Sequence, residues 1–438
     1  MRPRMFLLTA CLMLQALACS MLEALPNVKP DAESLGTAVS ATLTAVAGAP
    51  GPAAPVAPAV LRIVYPDNVG GFRGSDLWII EGSAAPRQLT SSGQDGSPLL
   101  SNDGRLVAFR RIIDPGLLVE ELWVVSPDGS NQRTLVSQAW LSGVKAGDTA
   151  TLHRVRWVPG THTLAFNTRL ASEFPGLTTH DNLYLVDADT GNSTTVLPTG
   201  TGASDFFYSP DGARLALSSS TAIDIMNSDG TGRANLAQYK GVGMGEAPYI
   251  VSPVWSPDGS YLRAVIPSGG LPGPITGSLW HLPGDGSPAY SLASLPGNLS
   301  LFSQDLPLYA PDLQHVAYVI RAGEAAGSVR ELHIAAGDGS EDAVYASGGI
   351  GWWGWAPDGR RFIYQVGDAA YLGEIGAGPR PLFTDVAAVF WPRWVDQDRI
   401  IFFAGQRDAW QLRLGAPGGA STLLASPAGD MAEFDFSR

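Results

Sequence analysis

An all-β protein is predicted, a β-propeller of eight four-stranded blades, from a repeated aromatic strand and turn, a second strand motif in step with it, and two complementary chain ends. The turn is clearest at Trp255-Ser256-Pro257-Asp258-Gly259, Tyr208-Ser209-Pro210-Asp211-Gly212 and Trp355-Ala356-Pro357-Asp358-Gly359. Pro presets φ, Asp can hydrogen-bond its own backbone, and Gly tolerates a left-handed conformation, so the chain reverses between antiparallel strands. Degenerate copies stand at Leu100 to Gly104, Trp157 to Gly160, Tyr309 to Asp312 and Trp394 to Gln397, and a partial one at Phe434 to Arg438.

The second motif is a Leu-Trp or Leu-Tyr strand before a hairpin turn, as in Asp76-Leu77-Trp78, Glu121-Leu122-Trp123 and Ser278-Leu279-Trp280. Degenerate copies run to Ala409-Trp410-Gln411-Leu412 and make eight units. Asp76 to Ala409 spans 333 positions in seven intervals, about 48 residues each, near the period of four-stranded propeller blades. The 33 prolines and 51 glycines argue against a helical solenoid. At the ends, Ala432 to Ser437 reads as an innermost strand without its partner, and Val60 to Tyr65 as a second strand without its predecessor. Their pairing would close the ring and remove the open edges. Seven blades is the alternative, if the weak unit around Ala370 to Arg380 is discounted.

The amino-terminal segment reads as an address. Arg2 and Arg4 precede an apolar run from Met5 to Ala18 that ends at Leu17-Ala18-Cys19, the layout of a secretory signal and too short for an ordinary membrane span. Leu14 to Cys19 resembles a bacterial lipobox, so residues 1–18 are expected to be a signal peptide and Cys19 the lipidated first residue of the mature chain. The only other cysteine is Cys11, inside the signal, which leaves one thiol after cleavage and no disulfide within the domain. Residues 19–59 form a spacer rich in Pro, Ala and Gly from Gly48 to Ala59, expected to be extended and solvated, and residues 60–438 form the propeller. The expected location is extracytoplasmic, on a membrane through the lipid anchor.

Charge narrows the partners. The chain carries a net charge of -13, or -15 without Arg2 and Arg4, and has three lysines, which excludes nucleic acid as a natural partner. The six histidines are scattered without metal-ligand spacing, and neither a nucleophile elbow nor a phosphate-cradling glycine loop is present. No catalytic residue, metal site or cofactor is assigned. Asp187 to Asn192 hints at a calcium loop but falls where a hairpin turn is required.

The layout Pro253-Val254-Trp255-Ser256-Pro257-Asp258-Gly259 resembles the TolB-like, WD-repeat-like β-propeller family, over Leu61 to Arg438. The resemblance implies the fold and leaves function open, because one blade pattern serves many binding roles. The family's α/β domain has no counterpart ahead of the propeller, so its partners are not carried over. Register with the repeated Pro places Ser97, Arg154, Asp205, Ser252, Leu306, Trp352, Trp391 and Glu433 around one mouth of the central channel. Of these, Arg154, Asp205, Trp352, Trp391 and Glu433 are the candidate ligand-binding residues, although large aromatics are more often core. Trp157, Trp255, Trp355 and Trp394 occupy the motif position that packs between blades, and Trp353, in the slot of the repeated Pro, is expected to join them. The favoured function is a membrane-tethered binding or scaffold module for a protein, peptide or glycan. The alternative is a lyase or hydrolase working with Asp205, Glu433 and Arg154.

Overall fold

The structure is a computed structural model that describes residues 60–67, 75–116, 119–171, 178–244, 247–270, 273–301, 307–322, 329–406, 409–428 and 433–437. Cys19, the spacer and Leu306 lie outside them. Eight antiparallel four-stranded sheets follow one another along the chain. Blade 1 runs from Asp95–Leu100 to Arg133–Val136, blade 2 from Ala150–Trp157 to Ser193–Leu197, blade 3 from Asp205–Tyr208 to Ala234–Gln238, and blade 4 from Val254–Trp255 to Tyr290–Leu295. Blade 5 runs from Leu308–Tyr309 to Ala343–Gly348, blade 6 from Ile350–Trp355 to Ala377–Pro381, and blade 7 from Phe390–Trp394 to Ser421–Ala425. One helical turn, Gln138–Leu141, sits between blades 1 and 2, and its Ser137 cap accepts the Trp140 N–H.

Blade 8 joins the two ends of the domain. Asp435–Ser437 is its innermost strand and pairs with Arg62–Asp67, in the register Arg62 with Ser437, Ile63 with Phe436 and Val64 with Asp435. Asp76–Glu81 and Arg87–Gln88 complete the sheet. The ring is therefore closed by backbone hydrogen bonds, as expected. The weak unit around Ala370 is a full blade, with Ala369–Glu374 paired on both sides.

The recurring turn residues hold the blades' inner reversals. The Ser209 hydroxyl donates to Asp211 Oδ1 at 2.6 Å and accepts the Arg214 N–H at 2.9 Å, while Asp211 Oδ1 accepts the Ala213 N–H at 3.0 Å. Gly212 has φ +71°, a conformation that favours a residue without Cβ. Ser256 and Asp258 repeat this arrangement, and Ser101 and Asp103 do so in blade 1. At Asp187 the side chain accepts the N–H groups of Asp189 and Thr190 and the Thr190 hydroxyl, so this segment is a hairpin turn.

Alternating apolar residues on each strand pack blade on blade. Buried clusters bridge all eight neighbouring pairs: blade 8 to 1 through Val64 and Phe109, 1 to 2 through Leu122 and Phe166, 2 to 3 through Leu183 and Phe206, and 3 through 4 to 5 through Ile225, Leu262 and Tyr318. Val319 and Phe362 join 5 to 6, Ile363 and Phe402 join 6 to 7, and Phe403 and Phe434 join 7 to 8. The repeated tryptophan adds a directional contact. Trp157 Nε1–H donates to Leu99 O at 3.1 Å, Trp255 to Phe207 O at 3.0 Å and Trp355 to Leu308 O at 3.0 Å, each reaching the inner strand of the preceding blade. Trp394 holds the same position, but its indole N–H has no partner among the described residues. Trp255→Phe is therefore expected to cost about 1 kcal/mol more than Trp394→Phe, the worth of one such hydrogen bond. Urea denaturation of the two variants measures the difference, and equal losses would show that the bond contributes nothing.

Candidate functional site

In blades 1, 2 and 7 the residue before the repeated Pro, or before the residue in its slot, is where the innermost strand leaves regular pairing. In blade 1 Gly96 pairs with Arg110 and Leu99 with Ala108, so Ser97 and Pro98 stand opposite Phe109 alone. In blade 7 Phe390 pairs with Phe403 and Arg393 with Ile401, so Trp391 and Pro392 stand opposite Phe402. In blade 2 His153 and Arg154 stand opposite Asn167, whose Oδ1 accepts the Arg154 N–H at 2.9 Å. Such bulges bend the strand and re-aim its side chains. Ser97 and Trp391 adopt φ +48° and +47°, the left-handed region that costs a non-glycine residue about 1–3 kcal/mol. These three bulges, with Glu433 ahead of the blade 8 inner strand and the regularly paired Asp205 of blade 3, lie at the starts of the innermost strands.

Trp391 is 42% exposed and packs edge-on against Trp410 at 5.5 Å. Next along the arc, Glu433 accepts the Ser97 N–H at 2.5 Å and a longer bond from the Ser97 hydroxyl at 3.4 Å. Burial pushes its carboxyl above the usual range. Arg154, half exposed, contacts Asp205 at 3.3 Å, and Arg156 holds the same carboxylate through both Nη atoms. Asp205 is buried. Of the residues expected from the sequence, Ser97 meets Glu433 and Arg154 meets Asp205, while Trp391 packs on its own blade; the two carboxylates are engaged with these neighbours rather than paired with each other.

Trp352 does not belong to that rim. It is 7% exposed and packs on Trp355 and Phe362, at 5.4 Å from each ring. The reason is local: in blade 6 the extra residue is Trp353, next to Gly354 with φ +140°, so Trp352 stays in register opposite Tyr364 and turns into the core between blades 5 and 6. Trp353, expected in the core, is half-buried, donates to Gln365 Oε1 at 3.0 Å, and lines a cavity of about 430 Å³ with Trp355, Trp394, Pro392, Arg393 and Phe436.

Charged residues from the second and third strands complete the rim, and sequence reasoning missed them. Arg110 pairs with Glu120 at 2.7 Å and donates to His153 O at 2.7 Å and Leu152 O at 3.4 Å. Arg169 lies opposite Thr151 in the ladder, and the hydrogen bond it makes among the described residues is to Leu170 O, at 3.4 Å. The available signal was Arg110-Arg111 and Arg169-Leu170 at the ends of apolar strands, where most units carry neutral residues. His153 sits among them. Burial, then the charges of Arg154, Arg169 and Arg110, outweigh Asp205 and lower its pKa to about 4. The folded imidazole stays neutral while the unfolded one takes a proton below about pH 6.5, so stability contributed by His153 is present above that pH and falls as pH drops toward 4. The loss is at most about 3 kcal/mol. Equilibrium denaturation at pH 7 and pH 4.5 should show it in the native chain and not in His153→Gln; equal losses in both would assign it to other groups.

No family model matches the sequence, and no curated protein matches it. Solved structures do. A eukaryotic initiation factor is similar with a TM-score of 0.52 and 10% identity, over 87% of this chain and 98% of that one. TolB from Acinetobacter baumannii is similar with a TM-score of 0.33 and 16% identity, over 69% of this chain and 66% of that one. An oligogalacturonate lyase from Vibrio parahaemolyticus is similar with a TM-score of 0.45 and 11% identity, over 80% of this chain and 89% of that one. At these identities the likeness extends to the fold and no further. The chain is an eight-bladed β-propeller, and TolB proteins are among the structures it resembles.

Proposed function

We propose that this protein is an extracytoplasmic binding module, tethered to a membrane through lipidated Cys19, that engages a protein, peptide or glycan at the channel mouth framed by Ser97, Arg154, Trp391 and Glu433. The observation that carries the reading is the pair of left-handed non-glycine residues, Ser97 and Trp391, at equivalent bulges of blades 1 and 7. Strain of this kind persists where surrounding structure over-determines it, and it clusters at ligand sites. An exposed indole within an otherwise polar rim supports recognition, since tryptophan and arginine anchor many interfaces. The spacer of about 40 residues would hold the mouth away from the membrane surface.

Crosslinking in intact cells followed by mass spectrometry tests the site, comparing the native chain with an Arg154→Ala/Trp391→Ala variant. Loss of one adduct in the variant is expected; an unchanged set of adducts would move the site off the mouth. Cell fractionation of Cys19→Ala tests the anchor, with transfer from membrane to soluble fraction expected and unchanged membrane association contradicting it.

A further inference from the structure

The rim is unevenly charged around one segment, residues 151–154. Arg110 reaches the Leu152 and His153 carbonyls, Arg169 lies opposite Thr151, and Arg154 projects from the bulge itself. Both oxygens of Asp205 are already held by Arg156, so Arg154 is a second cation on a single carboxylate. Glu120 pairs with Arg110 and is also the carboxylate whose charge Arg169 feels, while Arg169 itself forms no ion pair within 4 Å among the described residues. Four guanidinium groups, Arg110, Arg154, Arg156 and Arg169, therefore face three carboxylates, Asp205, Glu120 and Glu433. Burial first, and then Arg154, Arg169 and Arg110, lower the His153 pKa to about 4.

We infer that Arg154 and Arg169, backed by Arg110, bind a carboxylate presented by a peptide segment, either its carboxy terminus or a Glu or Asp side chain. The inference rests on the channel-mouth reading and names the group recognised there. A guanidinium fork matches a carboxylate bidentately, and the half-exposed Arg154 needs no rearrangement of Asp205 to offer one. The rest of the molecule decides between a single carboxylate and a polyanion. With a net charge of -13, the chain repels an extended acidic polymer, while a lone carboxylate on a neutral peptide feels mainly the local arginines. Trp391, exposed on blade 7, is the aromatic side chain that would take an apolar residue of that peptide.

The test uses the full chain purified in detergent and three hexapeptide libraries: free carboxy termini without acidic residues, amidated with one Glu, and amidated without acid. Retention of either acid-bearing library, at least about tenfold above the acid-free one, is expected, and which of the two is retained identifies the source of the carboxylate. Arg154→Gln/Arg169→Gln should abolish that preference, and Arg154→Lys, which keeps charge but not the fork, should reduce it. Unchanged urea midpoints of these variants, measured alongside, exclude loss of fold as the cause. Equal retention of all three libraries, or retention of inorganic phosphate with no peptide preferred, overturns the inference. If equal retention is nonetheless lost in Trp391→Ala, the mouth reading stands and the carboxylate assignment alone fails.

Discussion

Deleting residues 433–438 is expected to abolish cooperative folding. Those residues supply the innermost strand of blade 8, and three kinds of contact leave with them. Backbone pairing to Ile63 and Val64 goes first, exposing an apolar strand edge. Two carboxylate links across blades follow: Glu433 to the Ser97 N–H, and Asp435, which accepts the Leu100 N–H at 2.7 Å and pairs with Arg393 at 2.9 Å. Phe434, buried against Phe403 at 5.7 Å, leaves a cavity between blades 7 and 8. Loss of a buried Phe alone costs about 3–5 kcal/mol, and a whole domain retains only about 5–15 kcal/mol. The ring would open, and the freed edge invites intermolecular pairing. Calorimetry should show no single sharp transition, with aggregation on heating; a transition within a few degrees of the native chain would mean that the blades hold without closure.

The second large effect is expected at Asp95. Its side chain is fully buried and holds Arg111 through two bonds, 2.7 and 3.0 Å, while the guanidinium lies over the Trp123 ring at 4.0 Å. Asp95→Ala leaves that cation buried without its counter-charge, which costs about 3–5 kcal/mol. Asp95→Leu/Arg111→Met removes both charges and should recover most of the loss, because burying an ion pair carries its own desolvation penalty. Urea denaturation of the single and double variants decides. A double variant as unstable as the single one would show that packing, and not the orphaned charge, sets the cost.

Blade number and closure were legible because turn chemistry and aromatic spacing repeat in every unit, and repetition survives degeneracy at single positions. The Ser97–Glu433 and Arg154–Asp205 contacts bring together residues that share one register relative to the repeated Pro, which is why they could be named from spacing as candidates. Trp352 shares that register too, and it was misplaced because side-chain direction there depends on which residue takes the bulge. Trp353, one position on, takes it in blade 6, and no spacing rule reports that. Arg110, Glu120 and Arg169 were missed because they come from second and third strands, whose meeting at blades 1 and 2 follows from tertiary register and not from any local motif.

The most direct test of the account places a photo-crosslinking amino acid at Ser97, on the mouth, and separately at Asp285, on a hairpin turn at the opposite end of its blade, in the full chain expressed in cells. A specific adduct from position 97 and none from position 285 is the predicted result. Adducts from position 285 alone would contradict the claim that the bulged rim is the binding surface.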